Sequence, residues 1–195
     1  NLKACERGEI IKKLGKYNLI VRTIPNLIDL AKGNISPTNL MELEIDDLLG
    51  RDKVFPQKNL MQKNIKSKVV MVTGAGGSIG SQLCREIIKI KPKKFLLLDS
   101  NEFALYTIIN EIKSEVSQTN IEIIPILSSI QDRNNLDKLL KTWTPHTIYH
   151  AAAYKHVPLV EYNLAEGVKN NVLGTLYLAQ AALKTKVKFC FCFNR

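Results

Sequence analysis

Seven residues, Gly74-Ala75-Gly76-Gly77-Ser78-Ile79-Gly80, join the β-branched run Lys68-Val69-Val70-Met71-Val72 to a segment with helical periodicity from Ser78 to Lys89. A strand entering a helix through Gly74, Gly77 and Gly80 at three-residue spacing makes a tight turn with bare backbone. The helix N-terminus then points its unpaired N–H groups and positive dipole end out of the turn. An anion, above all a phosphate, fits that arrangement.

The chain beyond this helix repeats one pattern. Phe95-Leu96-Leu97-Leu98-Asp99 reads as a second strand, Glu102 to Val116 as a helix striped by Leu105, Ile108, Ile109 and Ile112, and Ile121 to Leu127 as a third strand. Asp132 to Lys141 reads as a helix with Asp132 as its N-cap, Thr147 to Ala153 as a fourth strand, Glu166 to Lys184 as a long helix, and Val187 to Phe193 as a fifth strand. Strands alternating with helices at this spacing imply βαβ units on a parallel sheet with helices on both faces. The expected fold class is therefore α/β, a Rossmann-type doubly wound parallel sheet that stops at about the fifth strand. An N-terminal connector segment precedes it. The expected domains are residues 1–66, a connector and remnant of a preceding domain, and residues 67–195, the dinucleotide-binding domain, incomplete at its C-terminus. Within the first part, Lys3 to Leu14 suggests a helix, residues 18–22 a short strand, and Asp52 to Lys66 a polar linker holding Pro56.

A dinucleotide turn needs more than glycine. Gly74, Gly76, Gly77, Ser78, Ile79 and Gly80 are the candidate pyrophosphate contacts. The spelling is G-x-x-G-x-x-G, not G-x-G-x-x-G, because Ile79 occupies the last position of the latter. Asp99 closes the second strand 19 residues after Gly80, where an acid accepts hydrogen bonds from ribose hydroxyls and repels a 2′-phosphate. The expected cofactor is NAD, with NADP as the alternative. Ala151, Ala152 and Ala153 are small enough to let a strand end lie against the cofactor. Lys155 and His156 come next at the carboxyl edge, where ligands of open α/β sheets bind, and are the candidate substrate contacts.

Composition narrows the alternatives. Hydrophobic residues make up 45% of the 195, enough for a core, and no apolar run approaches the ~18 residues of a membrane span. The formal charge of +10 rests on scattered lysines without interleaved aromatics, so it reads as solvated surface and nucleic acid is not an expected partner. Cys5, Cys84, Cys190 and Cys192 have neither zinc-site nor disulfide-framework spacing, and Cys84 reads as a small core residue. No metal site is expected.

Four stretches carry a family resemblance: Val72 to Ser81; Leu98-Asp99-Ser100-Asn101-Glu102; His150-Ala151-Ala152-Ala153-Tyr154-Lys155-His156-Val157-Pro158-Leu159-Val160-Glu161; and Asn170-Asn171-Val172-Leu173-Gly174-Thr175. Together they resemble the CapD-like nucleotide-sugar 4,6-dehydratases and epimerases of bacterial polysaccharide synthesis, within the extended short-chain dehydrogenase/reductase superfamily. The segments 21–25 and 46–51 look like the connector before that domain in long membrane-bound members. The resemblance implies that NAD(P)+ takes a hydride from C4 of a UDP-linked amino sugar, that water leaves across C5 and C6, and that the hydride returns to C6, the cofactor doing the redox work. It also implies that Ser129 and Ile130 flank the adenine, Ser129 standing where the family often has an aspartate.

The chain departs from that family in a further and larger respect. None of its six tyrosines begins a Tyr-x-x-x-Lys, no Met-x-x-x-Lys occurs, and there is no Thr-Asp-Lys. No catalytic residue is therefore assigned. The resemblance runs to about Lys188, and the Phe/Cys alternation after it suggests a truncation. The expected function is the NAD(P)-binding part of a UDP-amino-sugar 4,6-dehydratase with a UDP-GlcNAc-type substrate. A nucleotide-sugar epimerase or a non-catalytic dinucleotide-binding module are the alternatives. A nucleotide sugar is the expected partner, homo-oligomer formation is expected, and the parent protein of such a chain is cytoplasmic or anchored at the cytoplasmic face of the inner membrane.

Overall fold

A computed structural model of the chain describes residues 57–115 and 121–192, together with 22–23, 41–42, 10, 13, 14 and 17. The chain divides into two compact units, Asn1–Pro56 and Gln57–Arg195. In the first, β1 (Arg22–Thr23) and β2 (Met41–Glu42) pair antiparallel, Arg22 opposite Glu42. Most of the other residues up to 56, including the segment 46–51 and most of the helix expected over 3–14, lie outside the described residues.

The second unit opens with helix α1 (Lys58–Ile65), inside the stretch that its polar composition marks as a linker. Its polar surface hides one anchor: Ile65 is 1% exposed and belongs to the core. The helix is also tied to the sheet by Thr147, whose Oγ1 donates to the Asn64 carbonyl at 2.7 Å.

Strands β3 (Val69–Thr73), β4 (Lys94–Asp99), β5 (Glu122–Leu127), β6 (Thr147–His150) and β7 (Phe189–Cys192) form one parallel sheet in the order β5-β4-β3-β6-β7. Helices α2 (Ser78–Lys89), α3 (Glu102–Glu115) and α4 (Arg133–Trp143) alternate with the first four of these strands. This is the expected doubly wound α/β fold. Strands β3 and β4 are apolar nearly throughout because both faces are covered. Val70, Val72, Phe95 and Leu97 pack with Ile65 of α1, Cys84, Ile87 and Ile88 of α2 and Leu105, Ile108 and Ile112 of α3. Met71, Leu96, Leu98 and Ile148 point the other way and pack with Leu136 and Leu140 of α4 and with Leu178 and Ala181. Cys84 is thus core, as expected, and burial pushes its thiol far above the usual range. Pro125 is tolerated because β5 is an edge strand and needs no outer N–H. Asp132 caps α4, its side chain accepting from the Asn135 N–H at 2.9 Å.

The region between β6 and β7 differs most from expectation. The fourth strand, expected to run to Ala153, ends at His150, and 151–156 form a loop. Two short helices come after it, α5 (Val157–Tyr162) and α6 (Leu164–Gly167). Pro158 sits in the first turn of α5, where its missing N–H costs nothing. No residue of α5 is buried, so no periodic apolar stripe announces it. The helix expected over 166–184 is present as an unbroken helical run from α6 through α7 (Thr175–Lys184), but it carries a π-helical stretch over Val168–Gly174. The Phe/Cys alternation forms β7, in parallel register with β6 from Thr147↔Phe189 to His150↔Cys192. Among the described residues no helix is long and apolar enough to cross a membrane.

Candidate functional site

The sheet order makes a switch point. The chain leaves β3 for β4 on one side, and after β5 it returns to β6 on the other side of β3. Ligands of open α/β sheets bind in the crevice outside such carboxyl ends. A cleft of about 250 Å³ opens there, lined by Gly74, Gly76 and Gly77 from the turn, Asp99 and Asn101 after β4, Ser129 and Ile130 after β5, and Ala151, Ala152 and Ala153 after β6.

The glycine turn is built by contact as well as by conformation. Gly74 has φ of +69°, the left-handed region that side chains resist, and a Cβ there would lie 2.7 Å from the Ala152 Cα. A Cβ on Gly80 would lie 1.8 Å from the Gly74 carbonyl oxygen. Gly80 therefore lets the first turn of α2 sit on the loop. The N-cap residue of α2 is Gly77, and no side chain caps the helix. The helix end is left as a positively polarised set of amides facing the cleft.

Asp99 is 9% exposed and holds the turn from the side. Its Oδ2 accepts from the Gly76 N–H and its Oδ1 from the Asn101 N–H, each at 2.8 Å. Two of its lone-pair positions are thereby used and the others remain for a ligand. The Ser129 Oγ accepts from the Gln131 N–H at 3.1 Å, closing a local turn that leaves its O–H to donate.

A second, wider recess of about 640 Å³ adjoins the first and is lined by Ser78, Lys155, His156, Leu159, Asn163 and Glu166, among others. Lys155 and His156 both lie there. The Lys155 Nζ donates to the Ser78 Oγ at 2.8 Å, bringing a cation across to the helix N-terminus. His156 is the exposed N-cap of α5 and makes no side-chain capping bond. Ile79 is 50% exposed and Gly80 is buried. Both belong to the first turn of α2, and neither lines the cleft or the recess.

Sequence reasoning missed Asn101, Ala104, Tyr154 and Asn170, which also line the cleft. Asn101 carried a local signal, since its Oδ1 caps α3 by accepting from the Ala104 N–H at 3.0 Å. Asn170 carried none beyond its place in the stretch from Asn170 to Thr175. It lies 71 residues from Asp99 and reaches the cleft, 8% exposed, through the π-helical stretch.

Beneath the cleft, His150 is fully buried between two threonines. Its Nδ1 lies 2.6 Å from the Thr73 Oγ1 and its Nε2 2.9 Å from the Thr175 Oγ1. The Thr175 hydroxyl donates to the Asn171 carbonyl at 2.8 Å, which assigns the ring proton to Nε2 and makes Nδ1 the acceptor from Thr73. Burial lowers the His150 pKa to about 4, so the ring is neutral near pH 7. Among the described residues, no group of three or more His, Cys, Asp and Glu side chains could hold a metal ion.

The family model described as "Polysaccharide biosynthesis protein" matches residues 70–193, running past Lys188, where the resemblance carried by the sequence motifs ends. The chain is 40% identical over 164 residues to the capsular polysaccharide biosynthesis protein CapD of Staphylococcus aureus, covering 84% of this chain and 27% of that protein. It is 24% identical over 128 residues to a UDP-N-acetylglucosamine 4,6-dehydratase (inverting) of Campylobacter jejuni, covering 65% of this chain and 36% of that one. Among solved structures, Pen from Bacillus thuringiensis superposes with a TM-score of 0.60 at 26% identity, covering 66% of this chain and 39% of that one. The chain thus spans about a third or less of the length of these curated relatives.

Proposed function

Because the chain belongs to the polysaccharide biosynthesis protein family, we propose that it is the dinucleotide-binding part of a UDP-amino-sugar 4,6-dehydratase, with NAD as the cofactor and a UDP-GlcNAc-type sugar as the substrate class. The observation that carries this is the cleft at the switch point, where an uncapped helix N-terminus, a glycine cradle and a nearly buried carboxylate converge.

These residues fit the cofactor. The bare turn at Gly74, Gly76 and Gly77 admits a pyrophosphate to the α2 amides. Asp99 accepts from the ribose hydroxyls and repels a 2′-phosphate, favouring NAD over NADP. Ser129 and Ile130 flank the adenine, and the three alanines leave room beside the nicotinamide half. When bound, the nicotinamide supplies hydride acceptance and return. Lys155 adds positive charge beside the diphosphate-facing helix end, and His156, which lines the adjoining recess, is the second candidate contact for the substrate. Without a Tyr-x-x-x-Lys, Met-x-x-x-Lys or Thr-Asp-Lys among the 195 residues, the chain supplies binding and orientation rather than proton transfer.

Titration of the 195-residue chain with NAD and NADP tests the reading. Micromolar NAD binding, weaker NADP binding and no 4-keto sugar on incubation with UDP-GlcNAc and NAD are expected. Absence of dinucleotide binding overturns the cofactor assignment, and robust 4-keto sugar formation overturns the assignment of proton transfer to residues outside this chain.

A further inference from the structure

The side chain of Asn171 holds one residue at both ends. Its Oδ1 accepts from the Tyr154 N–H at 2.8 Å, and its Nδ2 donates to the Tyr154 carbonyl at 2.9 Å. An amide side chain bonded in this way mimics a neighbouring strand, and it acts where β6 has already ended and no strand is left to pair with the loop. The next residue is Lys155, whose ammonium rests on Ser78. On the other side, the Asn171 carbonyl receives the Thr175 hydroxyl, Thr175 meets His150, and His150 meets Thr73, the residue just before Gly74. Joined by the Tyr154–Lys155 peptide link, these hydrogen bonds therefore run along the β6 side of the cleft from Thr73 before the glycine turn to Ser78 after it.

Asn171 lies in the π-helical stretch Val168–Gly174. Asn170 and Asn171 are consecutive, yet Asn170 lines the cleft while Asn171 reaches Tyr154. The two are themselves joined, the Asn170 Nδ2 donating to the Asn171 Oδ1 at 3.0 Å. A π-turn widens the helix locally and re-aims successive side chains, a feature that recurs at functional sites.

We propose that Asn171 is a positioning residue, which fixes the Tyr154 backbone so that Lys155 is delivered to the anion-facing end of α2. The inference rests on the dinucleotide reading of the cleft. Lys155 is otherwise a long, exposed side chain with several rotatable bonds, and a lysine free to wander contributes little to binding. Removal of the clamp releases the loop and takes the Lys155 contribution with it.

A double-mutant cycle on the 195-residue chain separates this role from a merely structural one. NAD affinity is measured for the wild type, Asn171→Ala, Lys155→Met and the double variant, with a thermal melt of each. Each single variant is expected to lose about tenfold in affinity, and the double variant to lose about tenfold as well instead of a hundredfold. Independent losses that multiply, or an Asn171→Ala that binds as the wild type does, would overturn the proposal. If Asn171→Ala does not fold, Asn171→Asp takes its place. It keeps the acceptor for the Tyr154 N–H but sets a carboxylate oxygen against the Tyr154 carbonyl, so a comparable loss with the same coupling to Lys155→Met is expected. A wild-type chain that binds no NAD overturns the cofactor reading and this inference with it, whereas wild-type binding with additive losses overturns this inference alone.

Discussion

The Asp99 carboxylate and the Gly76 amide are bonded at 2.8 Å, so the residue that ends β4 holds the turn after β3. A second amide, that of Asn101, takes the other carboxylate oxygen. An asparagine at this position cannot satisfy both, because one N–H would face its NH₂ group. Asp99→Asn is expected to lose about 1–3 kcal/mol of stability, together with at least about tenfold in NAD affinity. A thermal melt and an NAD titration check both, and an unchanged melting temperature would contradict this bonding.

Gly80 and Gly77 offer a matched pair in one turn. An added Cβ lies 1.8 Å from the Gly74 oxygen at Gly80 but 3.2 Å from it at Gly77. Gly80→Ala must push α2 off the loop and is expected to cost more than about 2 kcal/mol, whereas Gly77→Ala costs less than about 1 kcal/mol. Chemical denaturation of the two variants side by side measures the difference. Equal costs would show that the close packing of Gly80 on Gly74 is not what the turn requires.

His150 makes stability depend on pH in a defined direction. Its folded pKa of about 4 lies below the ordinary value of 6.5, because burial disfavours the imidazolium. The unfolded chain therefore binds the proton first. The contribution is complete above pH 6.5 and is lost progressively as the pH falls toward 4, to a total of about 3 kcal/mol. Melting temperatures recorded from pH 7.5 to 4.5 are expected to fall more steeply for the wild type than for His150→Gln. Parallel curves would remove His150 as the source.

Thr144 ends α4 in the left-handed region, at φ 41° and ψ 59°, with its N–H bonded to the Leu140 carbonyl at 2.9 Å. A β-branched residue is strained there, and glycine relieves the strain while keeping the backbone bond. The greater freedom of glycine in the unfolded chain offsets part of the gain. Thr144→Gly is expected to stabilise by about 0.5 kcal/mol, raising the melting temperature by about 2 °C in a scanning melt. A lower melting temperature would refute it.

The sequence by itself determined the features that are local. The strand-glycine-helix order at 68–89, the buried strands 69–73 and 94–99 and the Asp132 cap are each written in a few neighbouring residues. Period, propensity and capping act over that range. The alternation of these elements implied the doubly wound sheet. Helix α1 escaped notice because Ile65 is its one buried apolar residue among those described, and α5 because none of its residues is buried.

Only the tertiary structure decided which residues share the cleft. Setting β3 beside β6 brings Ala152 against Gly74, Lys155 to Ser78 and His150 to Thr73, each across more than seventy residues of chain. Packing of the helix over Leu164–Lys184 then decided that Asn170 lines the cleft while Asn171 holds Tyr154. No sequence period announces such contacts, since they depend on where a loop runs after its strand has ended, and that path is set by side-chain hydrogen bonds formed only once the sheet has assembled.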